Sequence, residues 1–270
     1  MPDQPDIHAF DDAMALEAVG EGRMRGRTTE PYANMIGPFG GVTAAVMLRA
    51  VELQDERLGD PVAFTTNFVA AVSPGEFDIL TRCVRTNRST QHWIIEMTQE
   101  DHVVATATAV TGVHRDTWSE TEARPPQAPE PDAVPLAEKP PMAWPQQYEM
   151  RFVQGPLSFT GQPNDSSTTI MWTRDQPPRP LDFASLTALC DVFFPRVYVR
   201  TGQQMPIGTV SMTVYFHADA AEVAAQGSEH LLATAKGARF DRGFFDQSAQ
   251  LWGHDGTLLA SSHQIVYYKG

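Results

Sequence analysis

The chain has 270 residues, 42% hydrophobic and 20% charged, enough for one large domain or two of about half that size with a substantial core. Thirty-three acidic against 20 basic residues leave a net charge of −13. That balance excludes a uniformly basic face for nucleic acid, and any anionic ligand must find a local basic cluster. Two cysteines, Cys83 and Cys190, cannot build a disulfide framework, and the acidic start MPDQPDIHAFDDA has no apolar signal core. No apolar run approaches ~18 residues, so a cytoplasmic protein without a membrane span is expected.

A turn-like stretch at 36–41 (IGPFGG) leads into VTAAVMLRAVELQDERL, helical by propensity and free of internal Gly or Pro. Its apolar residues do not form one stripe. Val42, Ala45, Val46 and Leu53 take one side, and Ala44, Met47, Leu48 and Val51 another, which predicts a helix enclosed by other elements. Strands follow. Val62, Phe64, Thr66 and Phe68 alternate with Ala63, Thr65 and Asn67, and EFDILTRCVRT, QHWIIEMTQE and HVVATATAVTGV are divided by turns at 87–89 and 99–101. Prolines at 125, 126, 129, 131, 135, 140, 141 and 145 then predict an extended, solvated connector outside the core.

The order repeats beyond it. LDFASLTALCDVFF predicts a second enclosed helix with Asp182 as N-cap. TVSMTVYFH alternates, with Val210, Met212, Val214 and Phe216 on one face and Thr209, Ser211, Thr213, Tyr215 and His217 on the other. EHLLATAKGARF, GFFDQSAQLWG and TLLASSHQIVYY complete the set, with a hairpin turn at 254–256. Phe68 and Phe216 are matching points 148 residues apart, and Ala105 and Ala260 match at 155. Two copies of a helix followed by antiparallel strands predict an α+β tandem repeat: residues 1–114, a proline-rich linker at 115–149, and residues 150–270.

With these pieces in order, the sequence resembles the double-hotdog acyl-CoA thioesterases of the thioesterase II (TesB-like) family. The matching pieces are FGGVTAAVMLRA, FTTNFVAAVSPGEF and NRSTQHWIIEM in the first half, and DRGFF, DGTLLASSHQ and the strand ending VYFH in the second. The resemblance implies two hotdog repeats, each a long helix wrapped by one shared antiparallel sheet. It implies hydrolysis of an acyl-CoA to a carboxylic acid and free CoA, a role in fatty acid metabolism, and no cofactor or metal. It also implies a homodimer or higher oligomer, since broad sheets otherwise leave edges and apolar faces uncovered.

Carried over by position, the resemblance implies that Asp191, Thr209 and Gln264 orient and activate a water. Asp191 interrupts the apolar run LTALCDVFF, where a carboxylate is costly unless paired or useful, although it also suits a helix terminus before Phe194-Pro195. Gly40 and Gly41 open the first helix, where free N–H groups suit an oxyanion; a tight turn with close helix packing is the alternative. Arg85, Arg88, Arg239 and Arg242 are candidates for the CoA phosphates, or else solvated charges at hairpin ends. The offsets place Pro61 opposite Thr209 and Ala109 opposite Gln264, so only the second half is expected to carry a site. Cys190 has no accompanying Cys–His–Asn pattern and reads as a buried thiol, and the histidines lack metal-ligand spacing. Ser211-Met212 stands where the bacterial relatives carry Asp-His after the Thr. A non-catalytic acyl-CoA or lipid-binding hotdog protein and a hotdog hydratase are the competing readings.

Overall fold

The computed structural model describes residues 7–269. In chain order its helices and strands are α1 (Ala9–Ala13), β1 (Glu17–Gly20), β2 (Arg23–Arg27), α2 (Gly40–Glu52), β3 (Asp60–Phe68), β4 (Glu76–Thr86), β5 (Thr90–Gln99) and β6 (His102–Gly112). There follow β7 (Tyr148–Gln154), β8 (Thr169–Asp175), α3 (Phe183–Leu189), α4 (Arg196–Thr201), β9 (Ile207–Phe216), α5 (Ala220–Ala225), β10 (Leu231–Lys236), β11 (Phe240–Asp241), β12 (Phe244–Trp252) and β13 (Leu258–Tyr268). The strands form one sheet in the order β1-β2-β4-β5-β6-β3-β9-β13-β12-β10-β8-β7, with β11 paired to β12. The pairings are antiparallel, as the short turns and period-two patterning require.

The sheet is symmetric about the β3–β9 seam. Thr65 pairs with Thr213, their hydroxyls 2.9 Å apart, and these residues are separated by the 148-residue offset read from the sequence. Outward from the seam run β3, β6, β5, β4 and β2 on one side and β9, β13, β12, β10 and β8 on the other. Both central strands bulge at equivalent points. Val62 is skipped between the Pro61–Thr111 and Ala63–Val110 pairs, and Val210 between the Thr209–Val266 and Ser211–Ile265 pairs. Here the even alternation of the sequence misleads: Val210 was expected beside Met212 on the inner face, but the extra residue turns it out to 41% exposure. The same bulge brings Thr209 round to the inner face.

The core lies between the sheet and the helices. Ten of the 13 residues of α2 are buried, which is the enclosure its all-round apolar surface requires. Its partner α3 is shorter than expected. Asp182 caps it, accepting from the Ser185 N–H at 2.7 Å, but the helix stops at Leu189 and does not run to Phe194. Pro195 disfavours helical backbone at the preceding residue, and α4 begins only after it. The proline-rich segment also departs from expectation. It ends in a 3-10 turn at Trp144–Gln147, and Trp144 stacks on Phe39 with ring centroids 4.4 Å apart. Trp144 and Tyr148 are buried in the main core, and Val134 packs with Trp172 and Trp252. Proline fixes an extended path but leaves the intervening apolar side chains free to cover the sheet.

Candidate active site

The break between α3 and α4 creates the turn that carries Asp191. Arg196 pins the far end of that turn. Its fully buried guanidinium donates to the Phe194 carbonyl, to Ser167 O at 2.9 Å and to Thr169 Oγ1 at 2.7 Å. Burial without a carboxylate partner pulls the Arg196 pKa down to about 9.

Asp191 faces the first turn of α2. Gly41 closes the helix pair so tightly that a Cβ there would stand 2.7 Å from the Ala188 carbonyl oxygen. The close approach aims the α2 N-terminus at the carboxylate, which accepts from the Gly41 N–H. A Cβ on Gly40 would lie 2.9 Å from Asp191 Oδ2. From the sheet side, Gln264 Nε2 donates to Asp191 Oδ1 at 2.8 Å. Burial pushes the Asp191 pKa up to about 7, and the Gln264 and Gly41 hydrogen bonds only partly offset it.

Asp191, Gln264, Thr209 and Gly40 line one cavity of about 460 Å³. Aromatic side chains wall much of it: Phe39, Phe68, Trp144, Phe193 and Phe245. Among the described residues, Asp191 is the one charged side chain of the lining, with no Lys, Arg or His beside it. Among the described residues, no hydrogen bond joins Thr209 to Asp191 or Gln264, and its hydroxyl is left to the cavity. The Gln264 amide nitrogen also reaches Met212 Sδ at 3.5 Å, so its two hydrogens are committed and its carbonyl oxygen is the end left for a water.

Gln247 was not singled out from the sequence. It pairs with Gln264 across β12 and β13, is 3% exposed and lines the same cavity. The signal was present in alternation, since Phe245, Gln247, Ala249 and Leu251 are the alternate buried positions of β12, with Trp252 buried at its end, and only Gln247 of the four is polar. The first half offers no counterpart. Pro61 stands for Thr209, and the pair facing across β5 and β6 is Trp93 and Ala109, both buried.

The four arginines do not line the cavity. Arg85 donates to Asn87 Oδ1 at 2.9 Å, and Arg88 lies exposed in the β4–β5 turn. Arg242 occupies the equivalent β11–β12 turn, and Arg239 bonds Asp241 at 2.8 Å. Arg239 and Arg242 are 80% and 92% exposed at the side chain.

A single antiparallel sheet folded over enclosed helices, with a buried carboxylate between helix end and sheet, defines a hot dog protein with a polar group set in an apolar cleft. The model of the acyl-CoA thioesterase C-terminal domain matches residues 121–268, and that of the acyl-CoA thioesterase N-terminal domain matches residues 29–112. The chain belongs to the acyl-CoA thioesterase family, and it is a thioester hydrolase. A conserved protein of unknown function with hot dog fold from Alicyclobacillus acidocaldarius is 48% identical over 98% of this chain and 99% of its own, with a TM-score of 0.94. The tesB protein of Mycobacterium avium subs paratuberculosis has the same fold at 17% identity, covering 97% of this chain and 98% of its own, with a TM-score of 0.81. An acyl-CoA thioesterase II of Mycobacterium marinum is 18% identical over 97% of this chain and 98% of its own, with a TM-score of 0.76. No curated protein matches the chain.

Proposed function

We propose that the chain is a double hotdog, with repeats at 1–114 and 150–270, that hydrolyses acyl-CoA thioesters in the cavity lined by both halves, through Asp191, Thr209 and Gln264 of the second. The observation that carries this reading is the buried Asp191–Gln264 hydrogen bond at the α2 N-terminus, on the wall of the cavity that Thr209 shares.

The thioester carbonyl is already electrophilic, because sulfur donates poorly into it. What the site must add is a base, an oriented water and stabilisation of charge on the carbonyl oxygen. Asp191, raised to about 7, is a stronger base than an exposed carboxylate yet is substantially ionised at neutral pH. Gln264 and the Gly41 N–H fix its orientation, and the Thr209 hydroxyl and Gln264 carbonyl oxygen are the groups that hold the water. The water oxygen bonds to the acyl carbon, one of its protons passes to the Asp191 carboxylate, and the carbonyl π pair moves onto oxygen. Collapse breaks the C–S bond, and the departing thiolate takes the proton from Asp191. The products are a carboxylic acid and CoA thiol. Of the two glycines put forward as oxyanion donors, Gly41 is committed to Asp191, which leaves the Gly40 N–H, a first-turn donor without an intrahelical partner.

Free-thiol release measured across a panel of acyl-CoAs tests the reading. At least one member is expected to be turned over, and a protein that binds acyl-CoA yet releases no thiol from any of them is a binding protein.

A further inference from the structure

The reaction proposed for this cavity develops negative charge on the thioester oxygen, so donors must stand ready for it. The Gly41 N–H and one Gln264 N–H point at Asp191, and the other Gln264 hydrogen faces Met212. Gly40 contributes one backbone N–H. A second donor is needed, and Gln247 is placed to be it.

Gln247 is held by the rigid centre of β12, directly across the register from Gln264. Directly opposed side chains in an antiparallel pair project to the same face, with Cβ atoms about 5 Å apart. Its strand neighbours on that face are Phe245, Ala249 and Leu251. Its amide makes no hydrogen bond among the described residues, although the residue is 3% exposed. The amide is left facing the cavity, where its N–H groups are free to donate to a bound ligand. The equivalent first-half position holds Trp93 against Ala109, both packed in the core, and so presents no amide.

We propose that Gln247 is a catalytic residue of the thioester hydrolysis: its side-chain N–H, together with the Gly40 N–H, donates to the carbonyl oxygen as it becomes an oxyanion. This assignment rests on the thioesterase reading of the cavity. It divides two glutamines facing each other on one sheet between two tasks, Gln264 orienting the base and Gln247 receiving the developing charge.

The test compares wild type, Gln247→Leu and Gln247→Met with the best acyl-CoA of the panel. Loss of one oxyanion donor lowers kcat by roughly 10²–10³-fold, while KM is expected to stay within about threefold, because the ground-state carbonyl gains little from the bond. Tm should hold, since the Gln247 amide makes no hydrogen bond to another described residue that the substitution would break. A dethia trifluoromethyl ketone CoA analogue, which becomes tetrahedral in the site, should lose affinity by about the factor lost in kcat/KM. The matching thioether analogue, which lacks the carbonyl, should bind unchanged. Wild-type kcat in either variant overturns the assignment alone, as does a rise confined to KM or a fall in Tm of both variants. A wild type inactive on every acyl-CoA overturns the hydrolytic reading and the assignment together.

Discussion

Replacing Asp191 by Asn should make the protein less active and, at alkaline pH, more stable. The carboxylate is lifted from 3.8 to about 7 by burial, so the folded state holds a proton that the unfolded chain has released. For an acid raised in this way, the folded form is favoured at low pH, and the benefit is lost as pH rises from the unfolded value to the folded one. Between pH 5 and pH 8 the lost stability amounts to about two pH units at 1.36 kcal/mol each, or ~2.7 kcal/mol, reduced where cavity water solvates the carboxylate. Asn does not titrate, so it escapes this loss. It brings a conflict of its own, because both Gln264 Nε2 and the Gly41 N–H donate to Asp191 and the Asn amide nitrogen cannot accept; that opposes folding by about 1–3 kcal/mol at every pH. The pH dependence therefore separates the two effects. Thermal unfolding of wild type and Asp191→Asn at pH 5 and pH 8 should show the difference in Tm moving in favour of Asn by roughly 5–10 °C across that interval, at ~2–4 °C per kcal/mol for a chain of this size. A Tm difference that is the same at both pH values would show that Asp191 has an ordinary carboxylate pKa in the fold, and the account of the base would fail with it.

Other expectations follow from the same geometry. The pH profile of kcat/KM should have an acid limb with an apparent pKa near 7, rising as Asp191 ionises; a limb near 4 would contradict the burial effect. Gly40→Ala introduces a Cβ 2.9 Å from an Asp191 oxygen already held by Gln264, so kcat should drop on the order of 10²-fold with little change in Tm; wild-type kcat would mean the carboxylate yields freely. Because Asp191 is the one charge in the cavity wall among the described residues, an acyl chain ending in a carboxylate about 7 Å away meets repulsion of roughly 2 kcal/mol at an effective dielectric near 20. Glutaryl-CoA should accordingly show kcat/KM some 30-fold below hexanoyl-CoA, and equal values would place a cation in reach of the acyl tail.

Much of this fold was legible because apolar periodicity is set locally. The all-round apolar surface of 42–51 announced an enclosed helix, and Asp182 announced the start of α3. The 148-residue offset anticipated the pairing of Thr65 with Thr213 that sits at the centre of the sheet. What escaped depends on backbone register. The bulges at Val62 and Val210 leave the alternation of types intact while reversing which residues face in, so Val210 looked buried. The end of α3 at Leu189 was hidden because the residues beyond it are as apolar as the helix itself, and only Asp191 and Pro195 mark the break. The strands β1, β2, β7 and β8 and the docking of Trp144 were not read, because proline-rich and charged stretches give no periodic signal. At the site, Asp191 and Gln264 were reached by resemblance and meet in a hydrogen bond, while Thr209 shares only the cavity. Gln247 lay within a strand already recognised, but its meaning appears only once β12 is set beside β13.

The central claim is that the Asp191 carboxylate is the base for hydrolysis of an acyl-CoA. The most direct measurement is the rate of CoA thiol release by wild type and Asp191→Asn at pH 8, using the best acyl-CoA of a panel at saturation. Loss of general-base catalysis predicts a kcat lower by ~10²–10⁴-fold with KM nearly unchanged, because the carboxylate acts on the water and not on the CoA handle. Equal turnover by the two proteins would contradict it.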